Sequence, residues 1–305
     1  MAATATLDNH TTNAIREALG AASRGQLGEA CQIGERALAD GGDPVALNAM
    51  LGMFRCQLGE IEAGIQHLRI AHEARPADSK IAINLANALA TGGHHQDAFD
   101  LLTPELARSD RSLHLLKLRG FLAQNIGEFQ ASIEAYEEVI SADPTDFASW
   151  NNLGNARLGA EDFEGSVPAL RRAAELASDS GPIRLNIATA LVHTGDWNAA
   201  EAELRQMGED FPDDPRPLRE LHSLLKQWGQ DQEALEAIEL AVERAPEDVE
   251  LLLGLAAHFS YMVNSTDAEA TYRRVLELDH DNALAHLGLA VHWNFRPSLS
   301  IELQL

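Results

Sequence analysis

The residues best suited to chemistry are few, and their spacing does not gather them. His94 and His95 sit side by side in a Gly-Gly-His-His turn, with Asp97 close behind. Adjacent imidazoles in a loop do not converge on one ion and no third ligand is near, so no metal site is expected. His286 and His292 are six apart, which is not a same-face spacing on a helix. No glycine-rich phosphate loop and no nucleophile–His–acid set is present. Glu134, Glu137 and Glu138 cluster as a solvated helix face does. Cys31 and Cys56 show neither a pairing pattern nor metal-type spacing, which fits small apolar residues in a reducing compartment. The expectation is a cytoplasmic protein that is not an enzyme, with no cofactor and no metal.

Charge narrows the partners. The 305 residues carry 47 acidic and 23 basic side chains, a formal net charge of −24. Such a surface repels phosphate backbones and anionic membranes alike, so neither nucleic acid nor membrane is an expected partner. Solubility accounts for most of the acidity. No basic segment followed by an apolar stretch opens the chain, so no signal peptide is expected. No apolar run approaches the length of a membrane span.

The organisation appears as a beat. Pro76, Pro144, Pro212 and Pro246 are separated by 68, 68 and 34 residues. Placing Pro at position 32 of a 34-residue unit sets starts at 11, 45, 79, 113, 147, 181, 215 and 249. Residues 1–10 form an N-terminal arm, 11–282 eight units, and 283–305 an incomplete ninth unit with a C-terminal tail. Position 8 is then Ala or Gly in every unit except the seventh, where His222 stands. Position 20 is small throughout: Ala30, Gly64, Ala98, Ser132, Ser166, Ala200, Ala234 and Ala268. Position 24 is large at Leu68, Leu102, Tyr136, Leu170, Leu204, Ile238 and Tyr272, and Gly recurs at position 15.

Two antiparallel helices approach closely only where small side chains face each other, which explains positions 8 and 20. Large residues at 24 fill the adjoining space, Gly at 15 turns the chain between helices, and Pro at 32 ends the second helix. Pro104 and Pro168 fall inside second helices, which they should kink or fray. Gly34 takes a slot that wants a large residue, so the first repeat reads as loosely packed.

Small 8, small 20, large 24 and Pro 32 at this period resemble the tetratricopeptide repeat; Trp150-Asn-Asn-Leu-Gly154 after Pro144 is the nearest local match. The resemblance implies an all-α fold, a right-handed superhelical solenoid of antiparallel helix pairs. It also implies that first helices line a concave groove through positions 2, 5, 6, 9, 12 and 13.

Eight of the 14 asparagines fall on those positions: Asn84, Asn87, Asn125, Asn151, Asn152, Asn155, Asn186 and Asn294. Of 47 acidic residues only Glu220 and Glu250 do, against the basic Arg16, Lys80, Lys117, Arg216, Arg219 and Lys226. An amide side chain donates and accepts, so it pairs with a peptide bond whatever side chain that bond carries. Each such bond contributes about 0.5–1.5 kcal/mol net. A file of them suits an extended peptide. The cations would meet acidic groups on that guest, or balance nearby acids on a solvated face. The alternative reading is that the asparagines cap or bridge neighbouring repeats without a ligand. Asn84, Asn152 and Asn186 share position 6, which is similar to the asparagine ladder of the repeat domain of O-linked N-acetylglucosamine transferases.

The ninth helix, from Ala283, is apolar nearly all round, unlike the polar cap of a natural array. Arg296-Pro297 interrupts it and Ser298–Leu305 follows with alternating apolar residues. The tail folds back as a cap, or the helix self-associates with a partner copy, or a further domain follows. The expected function is a scaffold holding an extended peptide. The second reading is the recruiting half of a larger transferase, since bacterial arrays of similar repeats often precede a sulfotransferase-like or glycosyltransferase domain.

Overall fold

A computed structural model describes residues 2–110, 112–177 and 180–294, which form eighteen α-helices and, among the described residues, no strand. They fall into two compact units, residues 1–162 and 163–305, so the division lies inside the fifth 34-residue unit of the sequence register. The first unit holds α1 (Ala2–Ser23), α2 (Leu27–Ala39), α3 (Pro44–Gln57), α4 (Ile61–Ala74) and α5 (Ser79–Thr91). It continues with α6 (His95–Leu101), α7 (Pro104–Asp110), α8 (Leu113–Asn125), α9 (Phe129–Ala142) and α10 (Phe147–Gly159). The second holds α11 (Phe163–Leu176), α12 (Gly181–Thr194), α13 (Trp197–Asp210) and α14 (Arg216–Trp228). It ends with α15 (Asp231–Arg244), α16 (Val249–Tyr261), α17 (Ser265–Leu278) and α18 (Ala283–Asn294). The fold is all-α, built from antiparallel helix pairs, each packing against the next within its unit; α6 and α7 both pack on α5 and α8.

Local chemistry sets the helix ends. Asp43, Asp78, Ser112 and Asp248 precede first helices, and each side chain accepts from a backbone N–H of the opening turn. The prolines at 76, 144, 212 and 246 each stand two residues beyond a second helix, where a missing N–H costs nothing. Between paired helices Gly25, Gly59, Gly93, Gly127, Gly195 and Gly229 are left-handed, with φ from 79° to 83°. The two units without Gly at that place bend the same way: Glu161 and Val263 both have φ 59°. A side chain pays for that conformation and glycine does not.

The core follows the small and large slots. Leu68, Leu102, Tyr136, Leu170, Leu204, Ile238 and Tyr272 are all buried. At the crossing of α3 and α4, a Cβ added to Gly52 would stand 2.9 Å from Gly64 O, and one on Gly64 2.9 Å from Gly52 O. Backbones meet there, so neither position accepts a side chain.

Gly34 does not loosen the first repeat. Met50 and Leu51 of α3 already occupy the space over it, 2.8 and 2.9 Å from where its Cβ would be. The two interior prolines also behave differently. Pro104 divides its helix outright into α6 and α7, whereas α11 runs unbroken through Pro168. Pro168 is exposed and near the start of α11, so the carbonyl it leaves unpaired belongs to the first turn and faces water.

Candidate functional site

In the second to sixth repeats the helices that open a repeat differ in charge from those that close it, whereas α1, α14 and α16 each keep at least one acidic residue. In the first unit α3, α5, α8 and α10 contain no Asp or Glu, while α2, α4, α6, α7 and α9 all do. The acid-free helices carry the asparagines. Asn87 and Asn125 are exposed, and Asn84, Asn151, Asn152 and Asn155 are half-buried.

Part of their bonding capacity is committed to neighbours. Asn84 Nδ2 lies 3.2 Å from Met53 Sδ on α3, a weak acceptor. Asn125 Nδ2 donates to Phe121 O at 2.8 Å, within its own helix. Asn151 Nδ2 reaches Asn152 Oδ1 at 3.5 Å, and Asn152 Nδ2 donates to the Tyr136 hydroxyl at 3.2 Å. Asn155 is not without a partner. An amide side chain offers two donor hydrogens and two acceptor sites, so one such bond leaves capacity for a ligand. The bridging reading of these asparagines therefore holds for Asn152 and, weakly, for Asn84. The buried Asn48 of α3 is wholly structural, donating to Pro44 O at 2.7 Å with its oxygen 2.7 Å from His67 Nδ1.

The two lysines of this unit have different surroundings. Lys80 is exposed and has no acidic partner among the described residues. Lys117 Nζ is 2.8 Å from Asp146 Oδ2, at the residue before α10. Burial alone would push the Asp146 carboxyl up, but hydrogen bonds from Lys117 and Ser149 outweigh it and hold it below the usual range. Unlike the other aspartates before first helices, Asp146 meets the opening turn through a side chain, its Oδ2 accepting from the Ser149 hydroxyl. Beneath Asn152, burial pushes the Tyr136 phenol up to about 12, the bond from Asn152 pulling slightly the other way. Asp146 and Tyr136 are site residues that the sequence register passed over; Gln124, whose amide donates to Asn152 O at 2.9 Å, stands on groove position 12 but was not singled out. Asp immediately before a first helix was the available signal for Asp146.

In the second unit, Asn186 on α12 is half-buried and not without partners. Arg216 turns back on Asp214 in a fork, Nε 2.9 Å from Oδ1 and Nη2 2.8 Å from Oδ2. Arg219 is shared between Glu220, at 3.0 Å, and Glu250, at 3.2 Å. The only two acids on the predicted groove positions thus neutralise one of its arginines. Lys226 is exposed, its Nζ 5.7 Å from the centre of the Tyr261 ring. A cavity of about 710 Å³ opens between α16 and α18, lined by Leu253, Ala257, Leu284, Leu287 and Val291 with Tyr272 at its base. Residues 295–305, the tail for which a cap was one of three readings, lie outside the described residues, as do the side chains of His292 and Asn294.

His94 pairs with Glu62, its Nε2 3.4 Å from Oε1, and the His95 ring nitrogen Nδ1 is buried without a partner. No group of three or more His, Cys, Asp or Glu is placed to hold a metal among the described residues. Nor is any described helix long and apolar enough to cross a membrane.

Helical hairpins repeating every 34 residues, closed by facing small residues, make this a helical-repeat protein of the solenoid class. Residues 119–181 and 157–225 match two family models, each described as tetratricopeptide repeat. Tetratricopeptide repeats are thus matched over residues 119–225. The fold is shared with a tetratricopeptide repeat protein of Parabacteroides merdae, at a TM-score of 0.58 and 15% identity over 83% of this chain and all of that one. It is shared too with the C-terminal part of a TPR repeat-containing protein of Cytophaga hutchinsonii, at 0.62 and 14% identity over 79% and 99%. In sequence the chain is similar to BBSome complex member BBS4 of Bos taurus, 23% identical over 242 residues and 79% of this chain. It is also similar to Protein FlbA of Caulobacter vibrioides, 27% identical over 177 residues and 55% of this chain. The matched regions span 40% and 29% of those two relatives.

Proposed function

We propose that this chain is a non-catalytic protein-interaction scaffold that takes an extended peptide on the amide-bearing faces of its first helices. The observation that carries the reading is the absence of Asp and Glu from α3, α5, α8 and α10 in a chain of net charge −24. A carboxylate-free face does not compete with the guest's carbonyls for its own donors, and the half-used amides of Asn84, Asn151 and Asn152 supply both bonding senses. Asn87, Asn125 and Asn155 extend the set within the first unit, and Asn186 offers an amide of its own in the second. Of the predicted groove cations from residue 80 to 226, Lys80 and Lys226 are the ones to meet an acidic guest, because Lys117, Arg216 and Arg219 already have acidic partners. BBS4, by its name, is a member of a complex, which agrees with a role in assembly. The transferase-arm reading rests on resemblance alone and the geometry adds nothing to it.

Panning a random peptide library on the full chain, followed by calorimetry on the selected sequences, tests the proposal. Micromolar binders that lose fivefold or more in N87A/N151A, with unchanged helicity by circular dichroism, are expected. Binders indifferent to both asparagines would remove these faces from the account.

A further inference from the structure

Position 8 of the register is Ala or Gly wherever two helices must cross closely, yet the seventh unit places His222 there. That ring is 7% exposed, and its Nδ1 is 3.0 Å from the carbonyl oxygen of Ala234, the small residue facing it on α15. His258 of α16 is wholly buried, and its Nε2 is 3.1 Å from the carbonyl oxygen of Asp231, at the start of the same helix. The two imidazoles meet edge to face, centroids 5.1 Å apart. Because a carbonyl only accepts, each ring must carry its hydrogen on the nitrogen facing α15. His258 Nδ1 is then a buried lone pair with no partner, and Asp231 Oδ1 is likewise buried without one.

We propose that His222 and His258 form an acid-sensitive latch: while both rings are neutral they clamp α15 to α14 and α16, and a proton on either ring releases it. A second N–H on His258 has no acceptor to reach, and a charge on one ring faces the other at 5.1 Å. The charged or titratable groups facing the pair are Lys226 on α14, Asp231 and Glu239 on α15, and Tyr261 on α16, whose ring is 6.3 Å from His258. Burial is the largest influence on both rings. Asp231 and Glu239 favour a charged His258 and Lys226 opposes charge on both, and both rings are held below the ordinary histidine range.

The direction of the effect follows. In the unfolded chain these rings take up protons near pH 6.5, and in the folded chain only at lower pH. The latch is therefore fully closed above about pH 6.5 and weakens as pH falls from there towards the folded values. Within that window each ring changes the opening equilibrium by up to about tenfold per pH unit. The latch does not depend on the guest-holding reading.

Hydrogen–deuterium exchange on the full chain at pH 7.5 and 5.0, corrected for intrinsic rates, tests it. Amides of residues 216–261 are expected to lose about tenfold or more in protection at pH 5.0 relative to those of α8 and α9. In the double variant His222→Ala with His258→Gln, which keeps an N–H for Asp231 O without titrating, the loss should disappear. Unchanged protection in the wild type, or an equal loss in the variant, overturns the latch. Should the variant not fold, proton NMR titration of the wild-type histidines decides: a ring of this pair titrating at the ordinary value overturns the proposal.

Discussion

The side-chain amide of Asn152 donates to the phenol oxygen of Tyr136 at 3.2 Å, so a residue of α10 is held by the large core residue of α9. The bond ties the face to the core. Tyr136→Phe removes the acceptor while leaving the ring that fills the space under Gly120. Stability should fall by about 0.5–1.5 kcal/mol in urea unfolding. Peptide capture should persist, since the freed amide gains a donor.

Val263 holds a left-handed backbone, φ 59°, where six other turns use glycine. A β-branched residue is poorly suited to it. Val263→Gly should stabilise the chain by about 1 kcal/mol, seen as a higher Tm, and Gly229→Val at the matching turn should lower it by at least as much.

Two helical glycines should respond oppositely to alanine. Gly64→Ala drives a methyl against Cys56 and the Gly52 carbonyl, and should cost about 1–3 kcal/mol. At Gly254 the nearest atom, Ile238 Cδ1, is 3.6 Å from the new Cβ. Gly254→Ala should therefore be neutral or stabilise by up to about 1 kcal/mol through helix propensity. Paired denaturant curves check both.

The Asp146 carboxyl is held below its ordinary value when folded, so the unfolded chain takes up its proton first as pH falls. Its contribution is present above about pH 3.8 and is lost as the pH drops through the folded value. Lys117→Met should flatten this part of the stability–pH curve, with little change in its slope above pH 5. An unaltered acid limb would mean that Ser149 alone holds the carboxylate.

The beat of small and large residues was legible because it answers to backbone approach, which tolerates few substitutes. Facing Gly52 and Gly64, the buried residues at position 24 and the glycine turns all follow from it. Gly34 was misread because the slot is filled from the neighbouring repeat by Met50 and Leu51, which a unit-by-unit reading does not count. Pro104 and Pro168 look alike in sequence, but the outcome depends on where the orphaned carbonyl ends up. The partners of the site residues were hidden for a different reason. Lys117 with Asp146, and Asn152 with Tyr136, join residues 29 and 16 apart through side-chain rotamers that periodicity does not encode.

The separation of charge between opening and closing helices bears on how a guest would be kept. Amide dipoles are not screened by mobile ions as an ion pair is. A ligand gripped mainly by asparagines should stay bound through changes in salinity that would detach it from a cationic cleft.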